Sequence, residues 1–234
     1  MRILIDKDLR IRMRDGVTLA TDVYRPESRE PLATLVQRTP YDKSAPGSIN
    51  NSVEILRAVA EGYAVVVQDV RGRFASEGSF TPFVNEAFDG ADTLEWVTAQ
   101  PWCSGQTGMV GSSYVGATQW LAASTSPDCL GAIAPMATGD DYYDGWTYRG
   151  GAFQLGFSLF WALSFLGLGE SQRLVAARRM PIDKLDELVK SIDRIDEIFE
   201  RLPLRDVASE TAWAPYYLDW LAHPEYDEYW RRIA

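Results

Sequence analysis

The chain has 234 residues, of which 46% are hydrophobic and 24% charged, a composition typical of globular proteins and sufficient for a sizeable buried core. Its formal net charge of -10 argues against nucleic-acid binding, which depends on clustered Lys and Arg. No apolar stretch approaches the ~20 residues that a membrane span needs. We therefore expect neither a nucleic-acid partner nor a membrane partner.

The amino terminus and the cysteines indicate the cellular location of the protein. Residues 1–16 alternate apolar and charged side chains and lack the basic end and apolar block of a signal peptide. We interpret this segment as a strand and predict a cytoplasmic protein. Cys103 and Cys129 are far apart and form no C-x-x-C pattern, so we expect neither a disulfide framework nor a zinc site.

Strand and helix patterns alternate through the first half of the chain. Two strands, 2–13 and 17–24, are predicted to form a hairpin through Asp15-Gly16, a pair typical of tight turns. The following apolar runs and helical patterns predict, in order, strand 32–39, helix 51–60, strand 63–70, helix 85–100, strand 107–113, helix 114–126 and strand 130–139. This order predicts an α/β fold whose mixed sheet is mostly parallel, with helices on both faces.

The pattern changes near residue 145, where aromatic residues crowd together and helical periodicity then continues nearly to Ala234. We interpret 1–144 as the sheet domain and 145–234 as a helical cap over the end of the sheet. Much of the acidity lies in 182–202, where Ile and Leu recur at helical spacing with Asp and Glu between them. We interpret that charge as a solvated helix face.

The segment Gly111–Gly116, with the sequence GSSYVG, lies where an apolar strand ends and a helix begins. A nucleophile elbow needs this context, because a sharp turn presents the serine at the end of the sheet and small neighbours let strand and helix approach. The general G-x-S-x-G pattern is not met, since Val115 stands in place of its last glycine. Ser113 is the candidate nucleophile, and Ser112 is the alternative.

This segment resembles the G-x-S-Y-x-G elbow of cocaine esterase-like and X-Pro dipeptidyl-peptidase-like hydrolases, which include α-amino-acid ester hydrolases and some cephalosporin acylases. Further stretches that agree in the same order are Arg38-Thr39-Pro40-Tyr41-Asp42-Lys43, Asp69-Val70-Arg71-Gly72, Ser76-Glu77-Gly78, Gln100-Pro101-Trp102, His223-Pro224 and Tyr229-Trp230. The resemblance covers nearly the whole chain. It implies an α/β-hydrolase fold and a serine esterase or acylase that needs no metal or cofactor.

The resemblance also implies roles for individual residues. Ser113 would attack the ester or amide carbonyl, and the backbone N–H of Tyr114 with the hydroxyl of Tyr41 would form the oxyanion hole. Trp146 and Trp161 match aromatic residues that line the acyl-binding pocket, although ordinary cap core explains them equally well. A second set of polar residues, interpreted as a structural network after the second central strand, comprises Asp69, Arg71, Ser76 and Glu77.

A catalytic serine in this fold needs an acid and then a histidine that follow it along the chain. His223 is the one histidine, and it lies in a helical, aromatic segment instead of a loop after the last strand. We expect the acid and base to lie beyond Ala234, so that this chain is the amino-terminal part of a longer enzyme. A carboxy-terminal segment, or self-association through the incomplete sheet, is then the expected partner, besides a small ester or amide substrate.

Two alternatives remain open at this stage. The chain is either the nucleophile-bearing part of the enzyme or a catalytically incomplete module that only binds ligands or a partner. Val115 stands where an α-amino-ester hydrolase carries a carboxylate for the substrate ammonium group. This argues against a preference for α-amino acyl substrates without excluding it. The residues neither support nor exclude X-Pro dipeptidyl-peptidase activity.

Overall fold

A computed structural model describes residues 2–45, 53–207 and 212–233. The chain forms two compact units, Met1–Asp140 and Asp141–Ala234. The first unit contains the sheet, and the second consists mainly of helices.

The first unit is built on a six-stranded mixed sheet with the spatial order β1-β2-β4-β3-β5-β6. The strands are β1 (Ile3–Arg12), β2 (Thr18–Pro26), β3 (Leu32–Thr39), β4 (Ala64–Asp69), β5 (Cys103–Ser112) and β6 (Leu130–Met136). β1 and β2 form the antiparallel hairpin, with Gly16 at φ +92 in its turn, and β2 is also antiparallel to β4. The remaining pairs are parallel, so the predicted mixed sheet is confirmed.

Three helices of the first unit cover the sheet: α1 (Ile55–Ala60), α2 (Glu86–Thr98) and α3 (Tyr114–Ser124). Residues 64–67 of β4 form a continuous apolar run, as expected for a strand that is covered on both faces. Val66 packs in a cluster with Leu94 and Val97 of α2, whereas Val65 and Val67 pack with residues of α1. Alternate side chains of one strand thus belong to two cores on opposite faces of the sheet.

Several boundaries in the first unit differ from the prediction, and β6 ends at Met136 instead of residue 139. The predicted helix 51–60 lies partly outside the described residues, and its described part begins at Ile55. β5 begins at Cys103, four residues before the predicted start. The polar stretch before Thr107 carries no apolar alternation, so its pairing with β3 was not visible in the sequence.

The described part of the second unit contains short helices and one hairpin. Its elements are β7 (Tyr148–Arg149), β8 (Ala152–Phe153), α4 (Leu155–Trp161), a π-helical segment (Ala162–Gly167), α5 (Leu168–Ala176), α6 (Ile182–Asp193), α7 (Ile195–Phe199), a 3-10 turn (Leu204–Val207), α8 (Tyr216–Ala222) and α9 (Glu228–Arg231). The sequence pattern did not predict the hairpin. It also predicted one helix over 182–202. The structure instead has two helices, α6 and α7, separated by Arg194, whose φ of -115 and ψ of 32 lie outside the helical region.

The β6 strand lies at one edge of the sheet and is the most exposed of its strands. Within the described ranges it pairs with β5 alone. Gly131, Ala132 and Ala134 are exposed, and Met136 is 49% exposed. Such an edge leaves backbone N–H and C=O groups available for another strand. Among residues 2–45, 53–207 and 212–233, no helix is long and apolar enough to cross a membrane.

The contact between α2 and α3 gives a first prediction. A Cβ added at Gly90 would lie 2.6 Å from the Cβ of Ala122, so Gly90→Ala overpacks this contact. We expect the variant to lose about 1–3 kcal/mol of unfolding free energy in urea titrations. The control Gly156→Ala places a Cβ in open space within α4 and should be neutral or stabilising by up to ~1 kcal/mol. Equal stability of both variants would contradict the close packing.

Candidate active site

Ser113 occupies the turn between β5 and α3 with φ 56 and ψ -128. A non-glycine residue with positive φ is strained by about 1–3 kcal/mol and is found mainly where structure around it fixes the conformation. Here the N–H of Ser113 donates to the carbonyl of Met136 at 2.9 Å, and its own carbonyl accepts from Gly116 and Ala117 at 2.8 and 3.0 Å. The backbone of Ser112, the last residue of β5, is not among those with positive φ.

The helix that follows the turn packs closely against the end of the sheet. A Cβ at Gly116 would lie 2.8 Å from Cγ2 of Thr138 and 3.2 Å from the carbonyl oxygen of Gly111, so a larger side chain does not fit. The amide of Gln119 donates to the carbonyl of Gly111 at 3.1 Å and accepts from the N–H of Ala134 at 2.9 Å. These contacts join α3 to β5 and β6. Gly116 therefore supplies the close approach that the glycine at the preceding position supplies in the general pattern.

Tyr41 and Ser113 follow the carboxyl ends of two neighbouring strands. β3 pairs in parallel with β5, and Tyr41 comes two residues after β3 while Ser113 comes directly after β5. The N–H of Tyr41 donates to Oγ1 of Thr39 at 3.1 Å, and Tyr41 is half-buried. The carboxyl ends of parallel strands meet at one edge of the sheet, which is where ligands bind in open α/β folds.

The loop that carries Tyr41 is tied to the end of β4. Asp42 has φ 73, and the N–H of Lys43 donates to Oδ1 of Asp69 at 2.7 Å. The ammonium group of Lys43 is buried between Oδ1 of Asp8 at 2.7 Å and Oδ1 of Asp22 at 2.9 Å. Asp69 accepts a second bond, from the N–H of Ala75 at 3.2 Å. Its buried carboxylate thus joins the Tyr41 loop to the loop after β4.

The other polar residues after β4 are hydrogen bonded within the first unit. Arg71 binds Asp89 through Nε and Nη2 at 2.9 and 2.6 Å, and Asp15 through Nη1 at 2.7 Å. Ser76 donates to the carbonyl of Asp69 at 2.7 Å. Glu77 accepts from the N–H of Thr18 at 3.2 Å. These contacts fasten the loop to the hairpin and to α2, as a structural network does.

Trp146 and Trp161 lie in the second unit and contact each other. Their ring centroids are 5.7 Å apart in an edge-to-face arrangement, and both rings also contact Phe157. Trp161 stacks on Trp220 at 5.8 Å with the two planes 3° apart. Both residues are mostly buried, at 8% and 5% exposure. The structure therefore brings the two predicted acyl-pocket residues together within an aromatic cluster.

His223 lies at the carboxyl end of α8, where Nδ1 is 2.6 Å from Oδ2 of Asp227. Its ring stacks on Tyr229 at 4.4 Å, and its carbonyl accepts from Nε1 of Trp230 at 2.8 Å. Hydrogen bonding to His223 lowers the pKa of Asp227. The sequence analysis did not identify this pair, although an Asp four residues after a His was a visible signal.

A buried set of charged residues near Ser113 was also missed. Arg38 in β3 and Glu86 at the start of α2 form an ion pair at 2.7 Å, and Glu86 accepts from the hydroxyl of Tyr114. The signal was Gln37-Arg38 at the end of an otherwise apolar strand. Across residues 2–45, 53–207 and 212–233, no group of three or more His, Cys, Asp or Glu could hold a metal ion.

A sequence model of the X-Pro dipeptidyl-peptidase (S15) family matches residues 15–234. The chain is 39% identical to the cocaine esterase of Rhodococcus sp. (strain MB1 Bresler) over 98% of its own length. That alignment covers 40% of the esterase.

Two solved structures share the fold. A CocE/NonD family hydrolase from Staphylococcus aureus superposes with a TM-score of 0.73 at 22% identity, over 100% of this chain and 38% of that one. An aminopeptidase from the marine sediment archaeon Thaumarchaeota archaeon superposes with a TM-score of 0.66 at 23% identity, over 99% and 40% of the two chains. The chain thus spans about two fifths of the length of each of these proteins.

The carboxylate under the Tyr41 loop gives a pH prediction. Burial raises the pKa of Asp69 to about 7 from 3.8, although its two N–H donors favour the ionised form. Between these pH values the folded chain keeps a proton that the unfolded chain has released. The contribution of this group to stability is therefore fully present below the unfolded value and is lost as the pH rises through about 7.

We expect the unfolding free energy of the wild type to fall with pH relative to that of Asp69→Asn, by at most about 1.4 kcal/mol per pH unit between about pH 5 and pH 7. Urea titrations at several pH values measure both slopes. Identical slopes would contradict a protonated Asp69.

Proposed function

Because this chain belongs to the X-Pro dipeptidyl-peptidase (S15) family, we propose that it is the nucleophile-bearing part of a serine hydrolase that cleaves esters or amides through an acyl-enzyme on Ser113. The observation that carries the proposal is the turn itself. Ser113 has the positive φ of a nucleophile elbow, at the carboxyl end of a parallel strand and directly before a helix.

In the proposed mechanism Oγ of Ser113 attacks the substrate carbonyl, and the negative charge that develops on the carbonyl oxygen is bound by two donors. The first is the backbone N–H of Tyr114, the first residue of α3, where the helix dipole also favours negative charge. The second is the hydroxyl of Tyr41, which follows the neighbouring strand. The leaving group departs with the proton that the base took from Ser113, and water then hydrolyses the acyl-enzyme and restores the serine hydroxyl.

The proton of Ser113 needs a base, and the described chain offers a weak candidate. His223 already binds Asp227, follows a helix of the second unit, and lies where this fold does not place a triad histidine. We assign the acid and base to a segment outside these 234 residues. The greater length of the relatives and the open edge of β6, beside which further strands would add, support this assignment.

The substrate side of the proposal is assigned to the second unit. We propose that residues 145–234 act as a cap and that Trp146 and Trp161 bind the acyl group, because apolar stacking surfaces suit an aromatic or branched acyl chain. Buried Val115 offers no charge for an α-amino group. Acylase and X-Pro peptidase activity remain open within the family.

Location in the cytoplasm also remains a prediction, to which the two free cysteines contribute.

A second candidate function is a binding module without turnover, and the exposed β6 edge is the observation that favours it. In that case the edge would pair with a second copy of the chain or with another protein. Gel filtration and an ester hydrolysis assay together distinguish the two proposals. A compact monomer that gains activity when the chain is extended supports the enzyme. A stable dimer without activity supports the binding module.

The nucleophile is tested by labelling with a fluorophosphonate and measuring intact mass. We compare the 234-residue chain with an extended chain, in which the remaining carboxy-terminal part of the Rhodococcus cocaine esterase follows Ala234. We expect little labelling of the shorter chain and stoichiometric labelling of the extended one, together with hydrolysis of a p-nitrophenyl ester. Ser113→Ala should abolish both, because the attacking oxygen is gone.

Ser112→Ala is the matched control, since it removes the neighbouring hydroxyl and should keep both labelling and hydrolysis. The opposite result, activity in Ser113→Ala and none in Ser112→Ala, would move the nucleophile by one residue. An extended chain that is folded but neither labelled nor active would contradict the enzyme proposal.

The oxyanion hole gives a separate prediction. Tyr41→Phe in the extended chain should lower kcat by about 10²- to 10³-fold, as the loss of one oxyanion donor does, while KM changes little. Steady-state hydrolysis of a p-nitrophenyl ester measures both constants. Tyr63→Phe, which removes the hydroxyl of a tyrosine that is 40% exposed, is the control and should leave kcat unchanged. Equal kcat values for the two variants would remove Tyr41 from the oxyanion hole.

A further inference from the structure

The side chain of Tyr114 is buried and held at its far end. Its hydroxyl donates to Oε1 of Glu86 at 2.9 Å and accepts from the N–H of Phe83 at 2.8 Å. Its ring stacks on that of Phe83, with the centroids 4.9 Å apart and the planes 19° apart. Phe83 itself has φ 72, so the bond from its N–H stabilises a turn in the left-handed region. The phenol thus has hydrogen bonds on both sides and a ring against its face.

The carboxylate that receives this hydroxyl is fixed to the sheet. Oε2 of Glu86 accepts from Nη1 of Arg38 at 2.7 Å, and Nε of Arg38 donates to Oε1 of Gln68 at 2.7 Å. Arg38 and Gln68 are paired neighbours on β3 and β4. Thr93 of α2 donates to the same oxygen of Gln68 at 2.9 Å. The chain of bonds therefore runs from two central strands to the first residue of α3.

Net stability does not account for this buried ion pair. Both side chains are almost completely buried, at 0% and 3% exposure, and desolvation of the two charges offsets most of their attraction. Burial raises the pKa of the Glu86 carboxyl, and the positive charge of Arg38 opposes that rise. A well-packed apolar pair would stabilise the fold at least as well. What the charged pair adds is a fixed direction for each hydrogen bond.

We propose that Glu86 is a positioning residue, which fixes the phenol of Tyr114 and through it the direction of the Tyr114 backbone N–H. The phenol and the N–H share one Cα, so a side chain held at its hydroxyl limits rotation at the backbone next to Ser113. The inference rests on the proposed function in one respect, since that function assigns this N–H to the oxyanion hole. Glu86 itself acts only through Tyr114.

The test uses Tyr114→Phe, Glu86→Gln and the double variant. Tyr148→Phe is the matched control, because it too removes the hydroxyl of a buried tyrosine, one that donates to the backbone carbonyl of Trp220 at 2.8 Å. Two quantities are measured for each. The first is amide hydrogen exchange of residues 113–117 in the 234-residue chain, relative to the rest of α3. The second is the concentration dependence of fluorophosphonate labelling in the extended chain.

We expect exchange at residues 113–117 to be about fivefold faster or more in Tyr114→Phe and Glu86→Gln, the effect of losing one buried hydrogen bond, and unchanged in Tyr148→Phe. The maximal labelling rate should fall by about 10- to 100-fold with an unchanged half-saturating concentration, as expected for a misplaced donor. The double variant should be no slower than the slower single variant, because both act through one path.

Each other outcome has a definite meaning. Unchanged exchange at residues 113–117 in Tyr114→Phe would overturn the anchor. Faster exchange with an unchanged labelling rate would overturn its role in positioning. Faster exchange in the two single variants, together with no labelling of Ser113 in the extended wild type, would leave the anchor standing and reject the proposed function, so the two failures are distinguishable.

Discussion

A serine with a positive φ is strained, and Ser113 keeps this conformation because contacts from the sheet and from α3 hold it. β6 accepts its N–H through Met136, the first turn of α3 donates to its carbonyl, and the space beside Gly116 is filled by Thr138. Each contact comes from a different element, so the turn exists only when sheet and helix are assembled. The strain is localised at the residue whose side chain the sharp turn presents at the end of the sheet.

Polar side chains surround this turn in a part of the molecule that is otherwise apolar. β3 and β4 are mostly apolar until their carboxyl ends, where they carry Arg38, Gln68 and Asp69. All three form hydrogen bonds: Arg38 with Gln68 and with Glu86 at the start of α2, and Asp69 with the N–H of Lys43 in the Tyr41 loop. The same bonds hold the loop on which Tyr41 lies and, through Glu86, the side chain of Tyr114 at the start of α3.

The sequence was sufficient to predict the central strands, their parallel order and the elbow, because buried parallel strands are short apolar runs and the elbow has a local signature. It did not show the extra residues of β5, whose polar start is paired only through the backbone. The break at Arg194 and the hairpin at Tyr148 were also missed, since short elements in an aromatic segment leave little periodicity. The Arg38–Glu86 pair depends on two residues 48 positions apart, which no local pattern joins.

We propose that Ser113 is the nucleophile and that Tyr114 and Tyr41 bind the developing negative charge. A crystal structure of the extended chain after reaction with a fluorophosphonate is the most direct test. We expect phosphorus bonded to Oγ of Ser113, with a phosphoryl oxygen within hydrogen-bond distance of the Tyr114 N–H and the Tyr41 hydroxyl. An adduct on Ser112, or a phosphoryl oxygen bound by other groups, would contradict it.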